Sequence, residues 1–233
     1  MAIPPDVLHS MELLRDLPPE QIERLAGLMN ERSYARREIV FNKEEPGQFL
    51  CFLVEGRLQG VDFTLDGREV GLYFVEAGSY FGEMSVIDGA PRPDYVIAVA
   101  RSRVAFLPAE EARQLITRAP EIAEKVLQRL VHRLRSVSAQ RTLLGMPNPA
   151  QRVCAQLMQL VITDTDGRRL IVNAPTHQEI AIMINASRET VTRVFQVLQS
   201  RGVVARDGNS LKIADEDYLS DVAEGQVEPP KAS

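Results

Sequence analysis

The chain has little of the chemistry that most enzymes and metal proteins need. Its 233 residues include only two cysteines and three histidines. Cys51 and Cys154 stand far apart within apolar stretches, which fits two small buried side chains better than a disulfide or a metal pair. No apolar run approaches the roughly 18 residues that a membrane-spanning helix requires. The N-terminus, MAIPPDVLHSMELL, has neither a basic opening nor a long apolar core, so no secretory signal is expected and a cytoplasmic location follows. Neither a Walker-type glycine loop, a metal-ligand cluster nor a nucleophile–base pair is visible. Glu83 with Arg92 is the one compact polar pair of the first half. Catalysis is therefore not expected, and no metal or prosthetic group is implied.

What is present is an ordinary globular composition, 45% hydrophobic and 25% charged, with charge unevenly spread. The net charge is −5. Residues 1–118 are acidic. Residues 119–149 set Lys125, Arg129, Arg133, Arg135 and Arg141 against Glu121 and Glu124, and residues 150–214 hold eight basic and five acidic side chains. The end from Asp215 is acidic again. An acidic front with a basic middle and back suits a two-part protein with one anion-binding half.

Residues 6–29 carry leucines and isoleucine at helical spacing, interrupted by Pro18-Pro19. From Tyr34 to Leu107 the period shortens to β-like runs over 38–41, 49–54, 57–63, 69–75, 96–100 and 104–106. Pro46-Gly47, Glu55-Gly56, Asp66-Gly67, Ala77-Gly78 and Asp88-Gly89 punctuate them. Many short strands with glycine turns predict a sandwich or barrel. Residues 120–144 read as one long helix. Ala123, Leu127, Leu130, Leu134, Val137, Arg141 and Leu144 recur at heptad spacing, a seam that favours a parallel dimer over packing within one chain. The stretch Gly145-Met146-Pro147-Asn148-Pro149 stops that helix and forms a stiff hinge. Asn148 then caps a helix over 150–162, with Pro149 at its first position.

Residues 174–199, APTHQEIAIMINASRETVTRVFQVLQ, read as two short helices around a tight turn. Thr176 and Glu179 form a capping box, Asn185-Ala186 makes the turn, and Ser187 caps the second helix. Val191, Val194, Phe195 and Leu198 fall on one face. Arg188, Glu189, Thr192, Arg193 and Gln196 fall on the other. The first residues of such a helix can reach base edges in a major groove. Arginine suits guanine O6 and N7, and glutamate accepts from cytosine N4. Thr176, Gln178 and Ser187 suit phosphates, and His177 lies beside them. Runs 203–205 and 211–213, joined by Asp207-Gly208-Asn209-Ser210, read as a hairpin wing.

With these elements in order, the chain resembles the CRP/FNR family of bacterial transcription regulators over nearly its whole length. SRETVTR is similar to that family's recognition helix, and Phe81-Gly82-Glu83-Met84-Ser85 with Pro91-Arg92 is similar to its phosphate-binding cassette. The resemblance implies an α+β fold. An N-terminal β-roll (jelly-roll) sensor domain spans 1–118 and a dimerisation helix 119–145. A hinge at 146–149, a winged helix-turn-helix domain at 150–220 and a disordered acidic tail at 221–233 follow. It implies that Arg188, Glu189 and Arg193 read a TGTGA-like half-site of a palindrome. Thr176, Gln178, Ser187, Thr192 and Asn209 would hold the DNA backbone. An effector would meet Gly82, Glu83, Met84, Ser85, Arg92, Pro93, Arg133 and Ser138. Arg92 would neutralise its phosphate and Glu83 would accept a ribose hydroxyl. The expected partners are double-stranded DNA, a small nucleotide and a second copy of the chain, with RNA polymerase a further candidate and no membrane.

Three positions depart from the family pattern. Pro93 and Asp94 stand where a small hydroxyl residue and alanine are usual, and Val137 stands where adenine-specific members offer a hydroxyl. Asp94 must point away or pair with Arg92. The effector therefore stays open among cAMP, which is favoured, cGMP and a cyclic dinucleotide. The last could use Arg129, Arg133, Arg135 or Arg141. The competing expectation is an effector-independent DNA-binding regulator whose β-roll serves dimerisation or protein docking. Cysteines near the N-terminus, which the iron–sulfur oxygen sensors of the family need, are absent. His9 and His132 read as surface or helix-face residues and not heme ligands.

Overall fold

The computed structural model describes residues 3–64, 67 and 69–227; Asp66 of the expected Asp66-Gly67 turn and the last six residues lie outside them. The chain divides into two compact units, residues 1–133 and 134–233. The first opens with α1 (Pro5–His9) and α2 (Pro19–Leu28), each with a proline in its first turn. It continues through β1 (Asn30–Tyr34), β2 (Ile39–Phe41), β3 (Phe49–Glu55), β4 (Arg57–Phe63), β5 (Glu69–Glu76) and β6 (Tyr80–Phe81). Then come α3 (Glu83–Asp88), β7 (Tyr95–Ala98), β8 (Ser102–Pro108), α4 (Ala109–Arg118) and α5 (Pro120–Leu144).

The strands form two antiparallel sheets, ordered β1-β8-β3-β6 and β2-β7-β4-β5. Strand β3 shows why its run FLCFLV reads as continuously apolar. Cys51 and Leu53 enter one core with Phe41, Leu58, Val75 and Phe81, while Leu50 and Phe52 enter a second core with Leu8, Leu13, Ile22 and Ile122. Side chains alternate faces along a strand, so a strand covered on both sides loses its polar positions. Strand β8 repeats this, with Val104 and Phe106 on one side and Ala105 and Leu107 on the other.

The first half of α5 belongs to this unit. Ile122 and Val126 are buried in the helical core, and Lys125 Nζ lies 2.7 Å from Asp16 Oδ2. Of the heptad seam, Leu127, Leu134, Val137 and Leu144 are exposed, whereas Leu130 is partly covered by the same helical core. No described helix is long and apolar enough to cross a membrane.

The second unit contains α6 (Pro149–Leu160), β9 (Ile162–Thr163), β10 (Arg169–Ile171), α7 (His177–Met183), α8 (Arg188–Ser200), β11 (Val204–Asp207), β12 (Ser210–Ile213) and α9 (Glu216–Glu224). Asn148 caps α6 by accepting from the Ala150 amide at 2.8 Å. The strands make one antiparallel sheet, β11-β12-β10-β9, so the wing hairpin is joined to two further short strands. Helix α6 packs against α8 and α9. Residues 221–224, expected within an acidic tail, are the last turn of α9. Leu219 and Val222 are buried, and Gly225 in the left-handed region ends the helix. Two apolar residues three apart are enough to anchor a short acidic helix on a partner helix.

Candidate effector pocket and nucleic-acid interface

Strand β6 ends at Gly82, whose φ of +81° carries the chain into α3. Glycine is needed there on two counts. The left-handed backbone disfavours a side chain, and a Cβ would sit 2.5 Å from Arg92 Nη1. Arg92 is buried and donates to the Gly82 carbonyl at 2.7 Å and the Phe49 carbonyl at 2.6 Å. Its guanidinium carbon stands 3.9 Å from the Phe41 ring centroid. Burial pulls its pKa down, yet an arginine this basic stays charged.

These groups line a pocket with Tyr73, Glu83, Met84, Ser85, Pro93, Asp94, Val96 and Arg133. Glu83 is 1% exposed, and its Oε2 has no hydrogen-bond partner among the described residues. Ser85 donates to the Pro91 carbonyl at 3.3 Å, which ties the start of α3 to the connection that carries Arg92 toward β7. Every predicted effector residue except Ser138 lines this pocket. Ser138 is an exposed residue of the second unit whose carbonyl accepts from Thr142.

Of the two expectations for Asp94, that it points away or pairs with Arg92, the pairing with Arg92 is not found. Asp94 Oδ2 is 3.1 Å from Arg133 Nη2 instead, and Arg133 Nη1 is 3.5 Å from Glu83 Oε1. Tyr73 donates its hydroxyl to Asp94 Oδ1 at 3.1 Å and lies face-on to Arg133, centroid to guanidinium carbon 3.9 Å. Burial raises the Asp94 carboxyl above its ordinary range, opposed by Arg133 and the Tyr73 hydroxyl. Tyr73 and Phe41 are site residues that sequence reasoning missed. Each lies on a strand where an aromatic side chain reads simply as core.

In the second unit, the Thr176 hydroxyl accepts from the Glu179 amide at 3.3 Å and Glu179 accepts from the Thr176 amide at 2.6 Å, completing the capping box. Asn185 takes φ +49° at the turn, and the Ala186 amide donates back to Ala181 at 2.9 Å. Ser187 accepts from the Thr190 amide at 3.1 Å as cap of α8. Val191, Val194, Phe195 and Leu198 are buried, which leaves Arg188, Glu189 and Arg193 exposed. Neither arginine forms an ion pair with a described residue. The Glu189 carboxyl is held below its usual range, first by a main-chain hydrogen bond, then by Ser187 and the two arginines. Gln178 and Asn209 are also exposed, and the Asn209 carbonyl accepts from Ala174 at 2.8 Å. Thr192 departs from its expected open position. It is half-buried, with its hydroxyl 3.0 Å from His177 Nδ1.

This geometry meets its counterpart among known proteins. Residues 31–119 match the family described as cyclic nucleotide-binding domain, and residues 151–222 match the Crp-like helix-turn-helix domain. The chain belongs to the CRP/FNR family. A CRP-like cAMP-activated global transcriptional regulator of Mycobacterium tuberculosis is 28% identical over 218 residues, covering 92% of this chain and 97% of that protein. A cyclic AMP receptor protein of Thermus thermophilus is 28% identical over 213 residues, with 91% and 97% covered. The solved structure of FixK2 from Bradyrhizobium japonicum shares the fold, with a TM-score of 0.69 at 18% identity over 83% of this chain and 96% of that one. This CRP/FNR-family protein is thus a transcription regulator and not an enzyme. Its two cysteines are free and buried, and burial pushes the Cys154 thiol up to about 12.

Proposed function

We propose that this regulator works as a cytoplasmic homodimer that reads a TGTGA-like palindrome in double-stranded DNA under control of a cyclic nucleotide, cAMP ahead of cGMP or a cyclic dinucleotide. The observation that carries the reading is the exposed face of α8. Arg188, Glu189 and Arg193 are held at its start by the Ser187 cap and a buried stripe, and the two arginines form no ion pair among the described residues. Arginine forks placed at a helix start suit guanine edges, and the glutamate between them suits cytosine N4. Thr176, Gln178, Ser187, Thr192 and Asn209 would then face phosphates, with Thr192 available only if its hydroxyl leaves His177. Exposed Leu127, Leu134, Val137 and Leu144 at heptad spacing support pairing of two α5 helices, which would present two recognition helices about 34 Å apart on the duplex. RNA polymerase would be the protein partner at a promoter.

The effector would sit on Arg92 and Glu83, whose unpartnered Oε2 suits a ribose hydroxyl. Ser138 of α5 would add a hydroxyl contact. One observation favours a second reading, in which DNA binding needs no effector. The pocket's Arg133 is already matched by Asp94.

Fluorescence anisotropy of a labelled duplex separates the two. A TGTGA palindrome should bind at least 10³-fold tighter than a scrambled duplex at fixed salt, and cAMP, cGMP or a cyclic dinucleotide should change that affinity. Equal binding to both duplexes overturns the base-reading assignment. An affinity that no nucleotide alters leaves the effector-independent regulator.

A further inference from the structure

The pocket built around Gly82 and Arg92 carries its own anion. Of its two guanidiniums, Arg133 faces two carboxylates, while Arg92 donates to two uncharged carbonyls. We propose that Asp94 is the affinity-limiting residue of this pocket, an internal anion that competes with the phosphate of an incoming cyclic nucleotide. The proposal rests on the reading of the pocket as a nucleotide site.

Asp94 cannot step aside cheaply. Its side chain is 7% exposed and is held at both oxygens, by Arg133 Nη2 at 3.1 Å and by the Tyr73 hydroxyl at 3.1 Å. Arg133 in turn is stacked on Tyr73 and lies near Glu83. Parting Asp94 from Arg133 leaves a buried charge without a partner. Leaving the pair intact sets a phosphate on Arg92 beside a fixed negative charge, inside a pocket where water screens poorly. Both routes penalise an anion at the phosphate position. Glu83 does not share this conflict, because its free Oε2 suits a hydroxyl donor and not a phosphate. The penalty thus falls on the phosphate-bearing part of the ligand, and removing one charge at position 94 should lift it.

Calorimetry on the full-length chain with cAMP and cGMP tests this. Asp94→Asn keeps an oxygen toward Arg133, turns its amide nitrogen to the Tyr73 hydroxyl oxygen and removes the charge with little change of shape, so it should bind at least tenfold tighter than wild type. Asp94→Ala should do the same, and Asp94→Glu, which keeps the charge, should stay weak. Should the alanine variant not fold, the near-isosteric asparagine variant still gives the answer. Asp94→Asn binding no tighter than wild type overturns the proposal while leaving the nucleotide reading in place. No binding of either nucleotide by any of the four proteins removes both.

Discussion

Thr192 Oγ1 lies 3.0 Å from His177 Nδ1, which fastens α7 to α8 through their side chains while the same histidine stacks on Phe195 at 4.5 Å between ring centroids. The His177 pKa is lowered, first by burial and then by Arg206 and Arg188. A neutral ring is therefore part of the folded helix pair. The folded pKa lies below the unfolded one, so this contribution is fully present above about pH 6.5 and is lost as pH falls through the folded value. Thermal melts between about pH 7 and 5 should show a decline that His177→Gln flattens. Parallel curves for the two proteins would assign the decline to other groups.

Arg188→Ala should weaken binding to a palindromic duplex by about 1–3 kcal/mol and relax preference at one guanine. Its melting temperature should stay at the wild-type value, because the side chain is exposed and unpaired. Anisotropy against operators substituted one base at a time reads the effect. A loss shared equally by all sequences would make Arg188 a phosphate contact.

Leu134→Glu places a charge at the most exposed of the seam's leucines and valine, 71% accessible in the single chain. Sedimentation equilibrium should then report a monomer where the wild type reports a dimer, and palindrome binding should fall with it. A dimeric variant would move the self-association surface away from α5.

Gly82→Ala should remove any nucleotide response and destabilise the chain by about 1 kcal/mol or more, since the new methyl meets Arg92 Nη1 in a left-handed backbone. Denaturant titration and calorimetry measure the two effects separately. Wild-type nucleotide affinity in this variant would place the anion elsewhere.

Phe52→Ala should cost about 3–5 kcal/mol by opening a cavity beneath the N-terminal helices. Urea denaturation checks it, and a smaller cost would show that α2 or Tyr80 collapses into the space.

Elements governed by local chemistry were legible in the sequence. The capping box at Thr176, the Asn148 cap, the Asn185 turn and the long α5 all follow from residues within a turn of one another. Strand β1 was not, because NERSY has no alternation of its own and is recruited by pairing with β8. Helix α4 was missed too, since AEEARQLITR buries only Ala112 fully and looks like a charged connection. In the pocket, Arg92 and Glu83 were legible through the resemblance of their segment to the family's phosphate-binding cassette. The partner of Asp94 was not. Arg133 lies 39 residues further along, and only the packing of α5 beside Tyr73 brings the two charges together.

The exposed face of α8 separates two kinds of constraint on this chain. Strand β3 is covered on both sides, so nearly every change in it is felt by a core. Arg188, Glu189 and Arg193 are exposed and belong to no core, and their local contacts stay within the start of α8. The address proposed for this face can therefore drift under mutation with little effect on whether the chain folds. A set of descendants from one such gene could share a scaffold and diverge in the operators they serve.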